Sequence, residues 1–399
     1  MKGFKELGLS QPILNVIEKE GFEEPTEIQR KSIPLVLEGK NVIAGSATGS
    51  GKTLAFGSGI IHKSDPGNGL QAIVLTPTRE LAQQVSKELK KFSAHKKLHV
   101  ATIYGGVGIN PQIESLKTAD VVVGTPGRIL DHMERRTIIL SRIRVLVLDE
   151  ADRMLDMGFL EDVERIVNAC PRERQTLMFS ATISYDVERL WKRYMSDAVQ
   201  VSAETYVDPT KMTQVYYDVM DNARFSLLVH LLKQEHPGLV MVFCNTRTNV
   251  DFVTNNLQVN GIKAIAIHGG FSQDKRDKTM DQFHSKDVQV LVCTDVAARG
   301  LHIEGVSHVY NYDIPDDSKE SVHRIGRTAR AGKEGMVINL LAHRDWDNFT
   351  RVLRDNMELD IVKQETPYIP RAKITWKPEP RFKRNFNRDH RRPHRKRNR

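Results

Sequence analysis

The sequence predicts an α/β protein of two tandem lobes, each with a parallel β-sheet, followed by a basic C-terminal tail. Short apolar runs recur between longer amphipathic stretches in both halves of the chain, which is typical of parallel strands covered by helices on both faces. A polar segment with a proline and no periodicity, residues 202–210, separates the two halves. We expect each lobe to carry its chemistry in the turns that follow its strands.

The apolar runs give the predicted strands. In the first half they are Asn41–Ala44, Ala72–Leu75, Val100–Tyr104, Val121–Val123, Val145–Leu148 and Thr176–Phe179. In the second half they are Leu239–Phe243, Lys263–Ile267, Val288–Val292, His308–Asn311 and Met336–Leu341. The predicted boundaries are therefore 1–201 for the first lobe, 202–212 for a linker, 213–365 for the second lobe and 366–399 for the tail.

Length and composition limit the class of protein. With 399 residues, 40% of them apolar, the chain is long enough for two or three ordinary cores. No run approaches the ~18 apolar residues of a membrane span, and the N-terminus lacks the apolar core of a signal peptide. The cysteines, Cys170, Cys244 and Cys293, are too far apart in sequence for a metal knuckle. We expect a cytoplasmic monomer without a disulfide framework or a membrane partner.

The net charge of +9 is concentrated at one end of the chain. Residues 371–399 contain 13 lysines and arginines against two acids, so the net charge of this segment alone exceeds the net charge of the whole protein. The two lobes are therefore close to neutral. The tail has too few apolar residues to form a core, and we expect it to be disordered.

The tail has two interpretations. A charged run can be a solvated extension that aids solubility. The alternative is a nucleic-acid arm, because Trp376, Phe382 and Phe386 are interleaved with the cations. Aromatic side chains stack on unpaired bases at ~1–3 kcal/mol each, while cations follow the phosphates. The second interpretation predicts an anchor without sequence preference.

A glycine-rich loop follows the predicted strand Asn41–Ala44 and precedes a stretch compatible with a helix, which is the context of a phosphate-binding loop. Its residues are Gly45, Ser46, Ala47, Thr48, Gly49, Ser50, Gly51, Lys52 and Thr53. Successive backbone N–H groups at a helix N-terminus form an anion nest, here predicted to bind ATP. We expect Lys52 to reach the β- and γ-phosphates and Thr53 to hold Mg²⁺. The usual pattern has glycine at position 46, where the small Ser46 still fits.

An acidic element ends another predicted strand, Val145–Leu148. The strand is followed by Asp149 and Glu150, and a carboxylate at the end of a buried strand is costly to desolvate unless it meets a cation. We expect Asp149 to hold Mg²⁺, partly through water, and Glu150 to orient and deprotonate the attacking water. An acidic tetrapeptide alone could also be an exposed helix start.

Together with the phosphate loop, the Asp149–Asp152 tetrapeptide resembles the DEAD-box RNA helicase family, whose two domains are RecA-like. The resemblance covers about residues 1–365. Residues 22–29 resemble the Q motif of the family, which implies that Phe22 stacks on adenine and that the Gln29 amide contacts the adenine edge. Phe4 fits the isolated aromatic that the family places upstream of this motif.

The resemblance implies an RNA-binding surface on both lobes. In the first lobe it comprises Pro77, Thr78, Arg79, Gly105, Gly106, Thr125, Pro126, Gly127 and Arg128. In the second lobe it comprises Thr246, Gly269, Gly270, Arg276, Thr294 and Asp295. Any one of these alone would be read as a turn or a surface cation, and the resemblance depends on their order along the chain.

The resemblance also implies catalytic groups beyond the nucleotide loop. Ser180 and Thr182 resemble the motif that couples hydrolysis to strand separation, although both could simply cap a helix. His323, Arg327 and Arg330 lie in the segment that resembles the last motif. The two arginines would act as fingers on the γ-phosphate, a role worth roughly 10³–10⁵ in rate. Because they belong to the lobe without a phosphate loop, hydrolysis is expected to require closure of the lobes.

Two positions depart from the family pattern. His302 stands where the family has an aspartate that would bind the ribose of ATP, which changes the expected ribose contact. Ala329 stands where glycine is frequent and adds one methyl group.

Three functions are compatible with these patterns. The first is an RNA-dependent ATPase that locally unwinds short duplexes or remodels RNA and its protein complexes as the lobes close on ATP and RNA. The second is a double-stranded DNA translocase, against which the Phe22/Gln29 element and the acidic tetrapeptide argue. The third is an RNA annealer driven mainly by the basic tail, with a weak motor.

Overall fold

The computed structural model describes residues 2–45, 50–181, 185–195, 197–202, 212–234, 238–298, 303, 305–328, 334–355 and 360–375. It contains two seven-stranded sheets, one in each half of the chain, and the strand pairs of both sheets are parallel. Helices pack on both faces of each sheet. The predicted fold class is confirmed.

The first sheet has the strand order β3-β4-β2-β5-β6-β1-β7. Its strands are β1 (Val42–Gly45), β2 (Ala72–Leu75), β3 (Val100–Ile103), β4 (Val121–Gly124), β5 (Val145–Asp149), β6 (Gln175–Ser180) and β7 (Val199–Ser202). The helices of this lobe are α1 (Lys2–Lys5), α2 (Gln11–Lys19), α3 (Glu27–Leu37), α4 (Lys52–Lys63), α5 (Arg79–Phe92), α6 (Asn110–Leu116), α7 (Pro126–Glu134), α8 (Ala151–Asp156), α9 (Leu160–Ala169) and α10 (Tyr185–Tyr194).

The second sheet has the order β10-β11-β9-β12-β13-β8-β14. Its strands are β8 (Met212–Asp218), β9 (Leu239–Phe243), β10 (Ala264–Ile267), β11 (Val290–Cys293), β12 (Val306–Asn311), β13 (Gly335–Leu341) and β14 (Ile361–Gln364). The helices are α11 (Arg224–Gln234), α12 (Arg247–Val259), α13 (Gln273–His284), α14 (Asp295–Ala298), α15 (Ser318–Ile325) and α16 (Trp346–Asp355), with a 3₁₀ turn at His343–Asp345.

The strand order of the first sheet places its predicted chemistry at one edge. Strands β1, β6 and β5 are neighbours, and they end at Gly45, Ser180 and Asp149. In a parallel sheet the carboxyl ends of all strands meet at the same edge, so the loops that follow them converge there. The central strands are apolar along their whole length because helices cover both faces.

The apolar runs of the sequence correspond to strands β1 to β6 and β9 to β13, with ends that differ by one or two residues. Three strands, β7, β8 and β14, were not predicted. Strand β7 is an edge strand of the first sheet, β14 is an edge strand of the second and β8 is next to β14, and polar residues occupy much of their length, as in Val199–Ser202 and Ile361–Gln364. The predicted linker lies between β7 and β8, and its residues 203–211 are outside the described part of the chain.

The N-terminal segment folds onto the first lobe. Phe4 is 1% exposed and belongs to the core on one face of the first sheet. Helix α3 begins with a capping box, in which the Thr26 side chain accepts from the Gln29 backbone and the Gln29 side chain accepts from the Thr26 backbone. No helix in the described ranges is long and apolar enough to cross a membrane.

The first ten residues of the predicted tail lie on the second lobe. Residues 365–375, here called the C-terminal strap, follow β14 without forming a helix or strand. Ile369 and Ala372 pack against the core beneath α11 and α12, and Thr366 donates a hydrogen bond to the Asp218 carbonyl. The packed part of the chain therefore extends to residue 375, beyond the boundary placed at 365. Residues 376–399 are outside the described part.

Candidate functional site

Lys52 and Thr53 begin α4 directly after the phosphate loop, and both are buried. The Lys52 Nζ atom lies 2.8 Å from Asp149 Oδ1 and 3.7 Å from Glu150 Oε1. Burial lowers the pKa of Lys52, but the attraction of Asp149 and Glu150 outweighs it, so this pKa lies above its ordinary value. Lys52 therefore stays protonated and available to an anion. Ser46, Ala47, Thr48 and Gly49 lie outside the described residues.

Asp149 is fully buried at the end of β5. Apart from the Lys52 ammonium group, its two carboxylate oxygens have no hydrogen-bond partner among the described residues. Burial raises the pKa of Asp149, against the attraction of Lys52. A buried carboxylate with unused oxygens is costly in a folded protein, and a cation ligand would remove that cost.

Glu150 follows Asp149 in a left-handed backbone conformation, with φ 54° and ψ 53°. Its Oε2 atom accepts a hydrogen bond of 2.8 Å from Arg153 Nη1, and both side chains are almost completely buried. Non-glycine residues rarely adopt this conformation, which is concentrated at functional sites. The turn directs the Glu150 carboxylate toward the Lys52 ammonium instead of into solvent. Arg153 was not among the predicted site residues.

Gln29 connects the Q-motif segment to the phosphate loop. Its Oε1 atom accepts from the Thr26 backbone N–H, and its Nε2 atom donates to the Gly51 carbonyl at 2.9 Å. Gly51 has φ 82°, and a Cβ atom at this position would lie 2.3 Å from Gln29 Nε2. Glycine is therefore required here by both conformation and space. The Gln29 amide keeps one N–H and one lone pair for a ligand, and nearby Phe22 is 44% exposed.

Ser180 links the end of β6 to the acidic tetrapeptide. Its hydroxyl accepts a hydrogen bond of 3.2 Å from the backbone N–H of Asp152. This N–H is one of the unsatisfied donors of the first turn of α8, so Ser180 caps a helix that does not follow its own strand. Its partner in the sequence pattern, Thr182, lies outside the described residues.

The second lobe contributes α15 to the same region. The ring nitrogens of His323 are buried and have no hydrogen-bond partner among the described residues. Burial and the neighbouring Arg153 lower the pKa of His323 to about 4, while Asp152 acts in the opposite direction. Both of these charged residues belong to the first lobe, so His323 lies at the contact between the lobes. Arg327 is 2% exposed and also acts on His323. Arg330 lies outside the described residues.

Arg324, next to His323, is the centre of a hydrogen-bond network that the sequence analysis missed. It is 1% exposed and donates to both carboxylate oxygens of Asp295, to Asn311 Oδ1, to the Asp313 carbonyl and to Asn245 Oδ1. The network joins the ends of β9, β11 and β12. Asp295 was predicted to contact RNA, but both of its carboxylate oxygens accept hydrogen bonds from Arg324.

A groove of about 510 Å³ runs between the lobes and brings together most of the predicted RNA-contacting residues. They are Pro77, Thr78, Arg79, Gly105, Thr125, Gly127 and Arg128 from the first lobe, and Gly269 and Arg276 from the second. Gln273 also lines it, as do Met157, Phe159 and Phe271, which the sequence analysis did not select. Gly106, Pro126 and Gly270 are chain neighbours of lining residues. Thr246, Thr294 and Asp295 are not among the residues that line it.

Two arginines shape the first-lobe wall of this groove. The Arg79 guanidinium lies directly over Gly106, where an added Cβ atom would lie 1.9 Å from Arg79 Nη1. Gly106 also has φ 82°, so this position requires glycine. Arg128 donates from both terminal nitrogens to the Val107 carbonyl at 3.2 Å. The turn that contains Gly105 and Gly106 therefore lies between the guanidinium groups of Arg79 and Arg128.

The groove is closed across the lobes by an ion pair. Arg276 Nη2 of the second lobe lies 2.6 Å from Glu80 Oε1 of the first, and both side chains are largely buried. The signal for this pair was present in the sequence, since Glu80 follows Arg79 directly and Arg276 was already selected. Arg247 at the start of α12 was also missed, and its guanidinium lies against Gly269.

The acidic strand end of one lobe lies near His323 and Arg327 of the other, Lys52 contacts that strand end, and a cation-lined groove crosses both lobes. These features define the class of two-lobed, nucleotide-driven motors. A family model described as DEAD/DEAH box helicase matches residues 26–190, and one described as Helicase conserved C-terminal domain matches residues 223–332. The chain is 46% identical over 371 residues to the ATP-dependent RNA helicase CshA of Listeria monocytogenes, covering 92% of this chain and 71% of that protein. The chain belongs to the DEAD-box RNA helicase family.

Two solved structures bear on the arrangement of the lobes. S. cerevisiae Dbp5 bound to RNA and ADP BeF3 is 31% identical and superposes with a TM-score of 0.83, over 92% of this chain and 96% of that one. A DEAD box protein from Methanococcus jannaschii is 44% identical, yet its TM-score is 0.56, over 91% and 99%. The more distant sequence superposes better, so the lobes of this chain are arranged more like those of the Dbp5 structure.

Proposed function

We propose that this protein is an RNA-stimulated ATPase that unwinds short RNA duplexes locally, or remodels RNA, by closing its lobes on ATP and RNA. One observation carries the proposal. The same arrangement of the lobes buries His323 against the acidic tetrapeptide and joins the two walls of the groove through Glu80 and Arg276. The nucleotide site and the RNA site are thus completed by one movement, which is the condition for positive, reciprocal coupling of two ligands.

The residues present fit a magnesium ion. The buried carboxylate of Asp149 meets only Lys52 among the described residues, Thr53 follows Lys52 at the start of α4, and hard oxygen ligands are those that Mg²⁺ prefers. Mg²⁺ keeps several waters and is usually held by one or two protein groups plus phosphates. Asp149 and Thr53 would hold it, and when bound it neutralises charge that develops on the phosphates.

Each nucleotide-site residue has a task that follows from its position. Phe22 offers an exposed ring for the adenine, and Gln29 offers its remaining donor and acceptor to the base edge. Lys52, at the start of α4, binds the β- and γ-phosphates. Glu150 accepts the proton of the attacking water, because its carboxylate is held in place by Arg153 at 2.8 Å. Arg327 and Arg330 stabilise the charge that develops on the γ-phosphate.

The groove binds the sugar–phosphate backbone of RNA. Arginines and glycine-rich turns line both walls, and such contacts with phosphate and sugar fix position without reading sequence. When hydrolysis removes the γ-phosphate, the link between the lobes weakens and the strand is released. Because closure of the lobes acts only where the RNA is bound, short duplexes are separated locally, without long-range translocation.

The cationic tail is an additional RNA anchor, and the protein acts as a cytoplasmic monomer. The 13 cations of residues 371–399 and the interleaved aromatic residues support the anchor, since stacking and phosphate attraction are tolerant of sequence. Target choice then depends on the tail or on partners, because the groove reads backbone.

Glu150→Gln tests the motor. The substitution keeps the size of the side chain and its bond to Arg153 but removes the base, so RNA-stimulated hydrolysis should fall about 10²–10⁴-fold. ATP-dependent RNA binding should persist, because the lobes can still close. Single-turnover ATPase and RNA binding are measured, with Glu161→Gln, an exposed glutamate of α9, as the control.

Two outcomes would contradict the proposal. If duplex remodelling with ATP survives over repeated turnovers in the Glu150→Gln variant, the protein is an annealer and its motor is incidental. If DNA and not RNA stimulates hydrolysis in the unmodified protein, it is a translocase on DNA.

A further inference from the structure

The turn after β3 is rich in glycine and lies in the first-lobe wall of the groove. Three of the four residues 105–108 are glycine, the residue with the most backbone freedom to lose when a segment becomes ordered. On the groove side, the Arg79 guanidinium lies over Gly106 and both terminal nitrogens of Arg128 bind the Val107 carbonyl. Bidentate binding of a phosphate would take the same guanidinium nitrogens. The turn therefore needs an anchor that does not also bind RNA.

Helix α6 provides one anchor, at the residue before the glycines. Gln112, which is 6% exposed, donates from Nε2 to the Tyr104 carbonyl at 2.9 Å. Neither Gln112 nor Tyr104 is among the residues that line the groove. This bond closes the loop between the end of β3 and α6, and RNA in the groove leaves it intact.

Gln112 is in turn held by His132 of α7. The Gln112 Oε1 atom lies 3.3 Å from His132 Nε2, and His132 Nδ1 lies 2.8 Å from the Thr137 hydroxyl. Because the Gln112 amide nitrogen binds a carbonyl, its oxygen faces the ring, so His132 donates from Nε2 and accepts at Nδ1. His132 is fully buried, and burial and the nearby Arg128 lower its pKa. The ring is therefore neutral, and both of its nitrogens have a partner.

A second anchor reaches Tyr104 from α5. The Tyr104 hydroxyl accepts a hydrogen bond of 2.7 Å from Gln83 Nε2. Gln83 follows Arg79 by four residues in α5, and His132 follows Arg128 by four residues in α7. Residues four apart lie on the same face of a helix, about 6 Å from each other. Each groove-lining arginine is thus followed, one helical turn later, by a side chain that holds Tyr104 directly or through one amide.

We propose that His132 and Gln83 are positioning residues of the RNA site, which hold Tyr104 and the glycine turn in place while the arginines of the same helices bind the RNA backbone. Neither residue lines the groove, so both act through Tyr104. The inference rests on the groove being the RNA site, and it adds that bonds outside the groove set the shape of its first-lobe wall. A turn that is ordered before RNA arrives does not have to be ordered on binding, which strengthens binding.

Two substitutions of His132 separate hydrogen bonding from packing. In His132→Gln the side-chain amide nitrogen can take the place of Nε2 and donate to Gln112, whereas in His132→Asn the side chain is too short to reach it. Both variants lose the buried ring, so both should lose a similar free energy of unfolding in urea. Only His132→Asn should raise the RNA concentration that half-saturates the ATPase, by about fivefold, the factor that one net hydrogen bond gives. The kcat at saturating RNA should not change.

A double-mutant cycle tests whether His132 acts through Gln112. Gln112→Leu removes the bond to the Tyr104 carbonyl and should weaken RNA binding at least as much as His132→Asn does. Adding His132→Asn to Gln112→Leu should then change the RNA dissociation constant by less than about twofold, because the connection is already broken. His95→Asn, which removes an exposed histidine of the same lobe, is the control and should change neither affinity nor stability. Losses that multiply would mean that His132 and Gln112 act separately, and the proposed connection would be wrong.

Tyr104→Phe guards against a folding defect, because it removes only a hydroxyl from a half-buried side chain. It breaks the bond to Gln83 and leaves the carbonyl bond to Gln112. The RNA dissociation constant should rise about fivefold in Tyr104→Phe and equally in Gln83→Met, and the two substitutions together should cost no more than either alone. An unchanged dissociation constant in both single variants would overturn the role of Gln83.

The outcomes distinguish this inference from the proposed function. If Arg79→Ala and Arg128→Ala leave the RNA dissociation constant unchanged, the groove is not the RNA site and both proposals fail. If the arginine substitutions weaken RNA binding but His132→Gln and His132→Asn bind RNA equally well, the groove stands, His132 serves packing alone, and its positioning role is wrong.

Discussion

Each lobe buries a cation against a carboxylate beyond the carboxyl ends of its strands, but the two pairs differ in how fully they are satisfied. In the first lobe Lys52 meets Asp149, whose oxygens have no other partner among the described residues. In the second lobe Arg324 meets Asp295 through two bonds and fills its remaining donors with two amide oxygens and a carbonyl. Lys52, Asp149 and Arg324 are nearly inaccessible to solvent, and the side chain of Asp295 is 18% exposed.

This difference distinguishes the proposed ligand site from a pair that is satisfied by protein atoms. Burying an ion pair costs desolvation energy, which is recovered only when the remaining hydrogen-bond capacity is filled. The Arg324 network fills this hydrogen-bond capacity with protein atoms and holds three strand ends together. The Lys52–Asp149 pair leaves the capacity unfilled, so a phosphate and a metal ion can complete the site. Burial and charge alone would have ranked the two pairs as equal candidates.

The largest expected effect comes from Arg327, three residues after Arg324 in the same segment. If it acts on the ligand and not on the fold, Arg327→Ala should reduce RNA-stimulated hydrolysis by roughly 10³–10⁵. The stability of the second lobe should change little. Single-turnover ATPase measures the first quantity and urea unfolding the second. Arg354→Ala, in which an exposed arginine of α16 is removed, should leave both unchanged. If the free energy of unfolding falls by as much as the activation free energy of hydrolysis rises, the role of Arg327 is to stabilise the fold.

Arg324→Met should show the reverse pattern. Removing one partner of a buried pair leaves Asp295 without its cation, which costs about 3–5 kcal/mol of folding free energy. Hydrogen exchange should rise in peptides from β9 and β12, which the network joins. The control is Arg344→Met, because Arg344 contacts Asp313 at 3.3 Å but its side chain is 61% exposed. Exposed pairs contribute about 0–1 kcal/mol. Equal losses in the two variants would remove the distinction between the lobes.

The sequence predicted the parts of the fold that carry a strong apolar pattern. The central strands, such as Val145–Asp149, read as uninterrupted apolar runs because helices cover both of their faces. Strands β8 and β14 carry polar residues at many positions, as in Met212–Asp218, and their partners are distant in sequence. Their pairing depends on contacts between segments that are distant in sequence, and no local sequence pattern predicts it.

The site shows the same division. Residues proposed to bind a ligand, such as Lys52 and Asp149, each belong to a short motif set by local geometry, and the motif revealed them. Arg324 and Arg153 act on protein groups brought together by folding, so their roles depend on contacts that no spacing encodes. The C-terminal strap, like Arg324 and Arg153, is recognised only from contacts that folding creates. Its residues resemble the start of a charged tail, and only the amides of α12 show that they are packed.

The smallest expected effect concerns His323, which joins the two regions and titrates. Its pKa is lowered to about 4 where the lobes meet, by burial and by Arg153, with Arg327 acting in the same direction and Asp152 and Glu150 opposing it. In separated lobes its pKa should return to about 6.5. The closed arrangement therefore binds fewer protons than the open one, and closure is lost as pH falls through about 6.5 toward 4.

At pH ~5.5 this linkage should weaken the coupling between ATP and RNA about tenfold relative to pH ~7.5, since most of the open form is then protonated. The measurement is the factor by which ATP tightens RNA binding, recorded against pH in the unmodified protein and in the His323→Gln variant. The variant has no titrating ring, so its coupling should lose this pH dependence while other groups contribute equally to both profiles. Identical profiles would mean that His323 is not buried on closure.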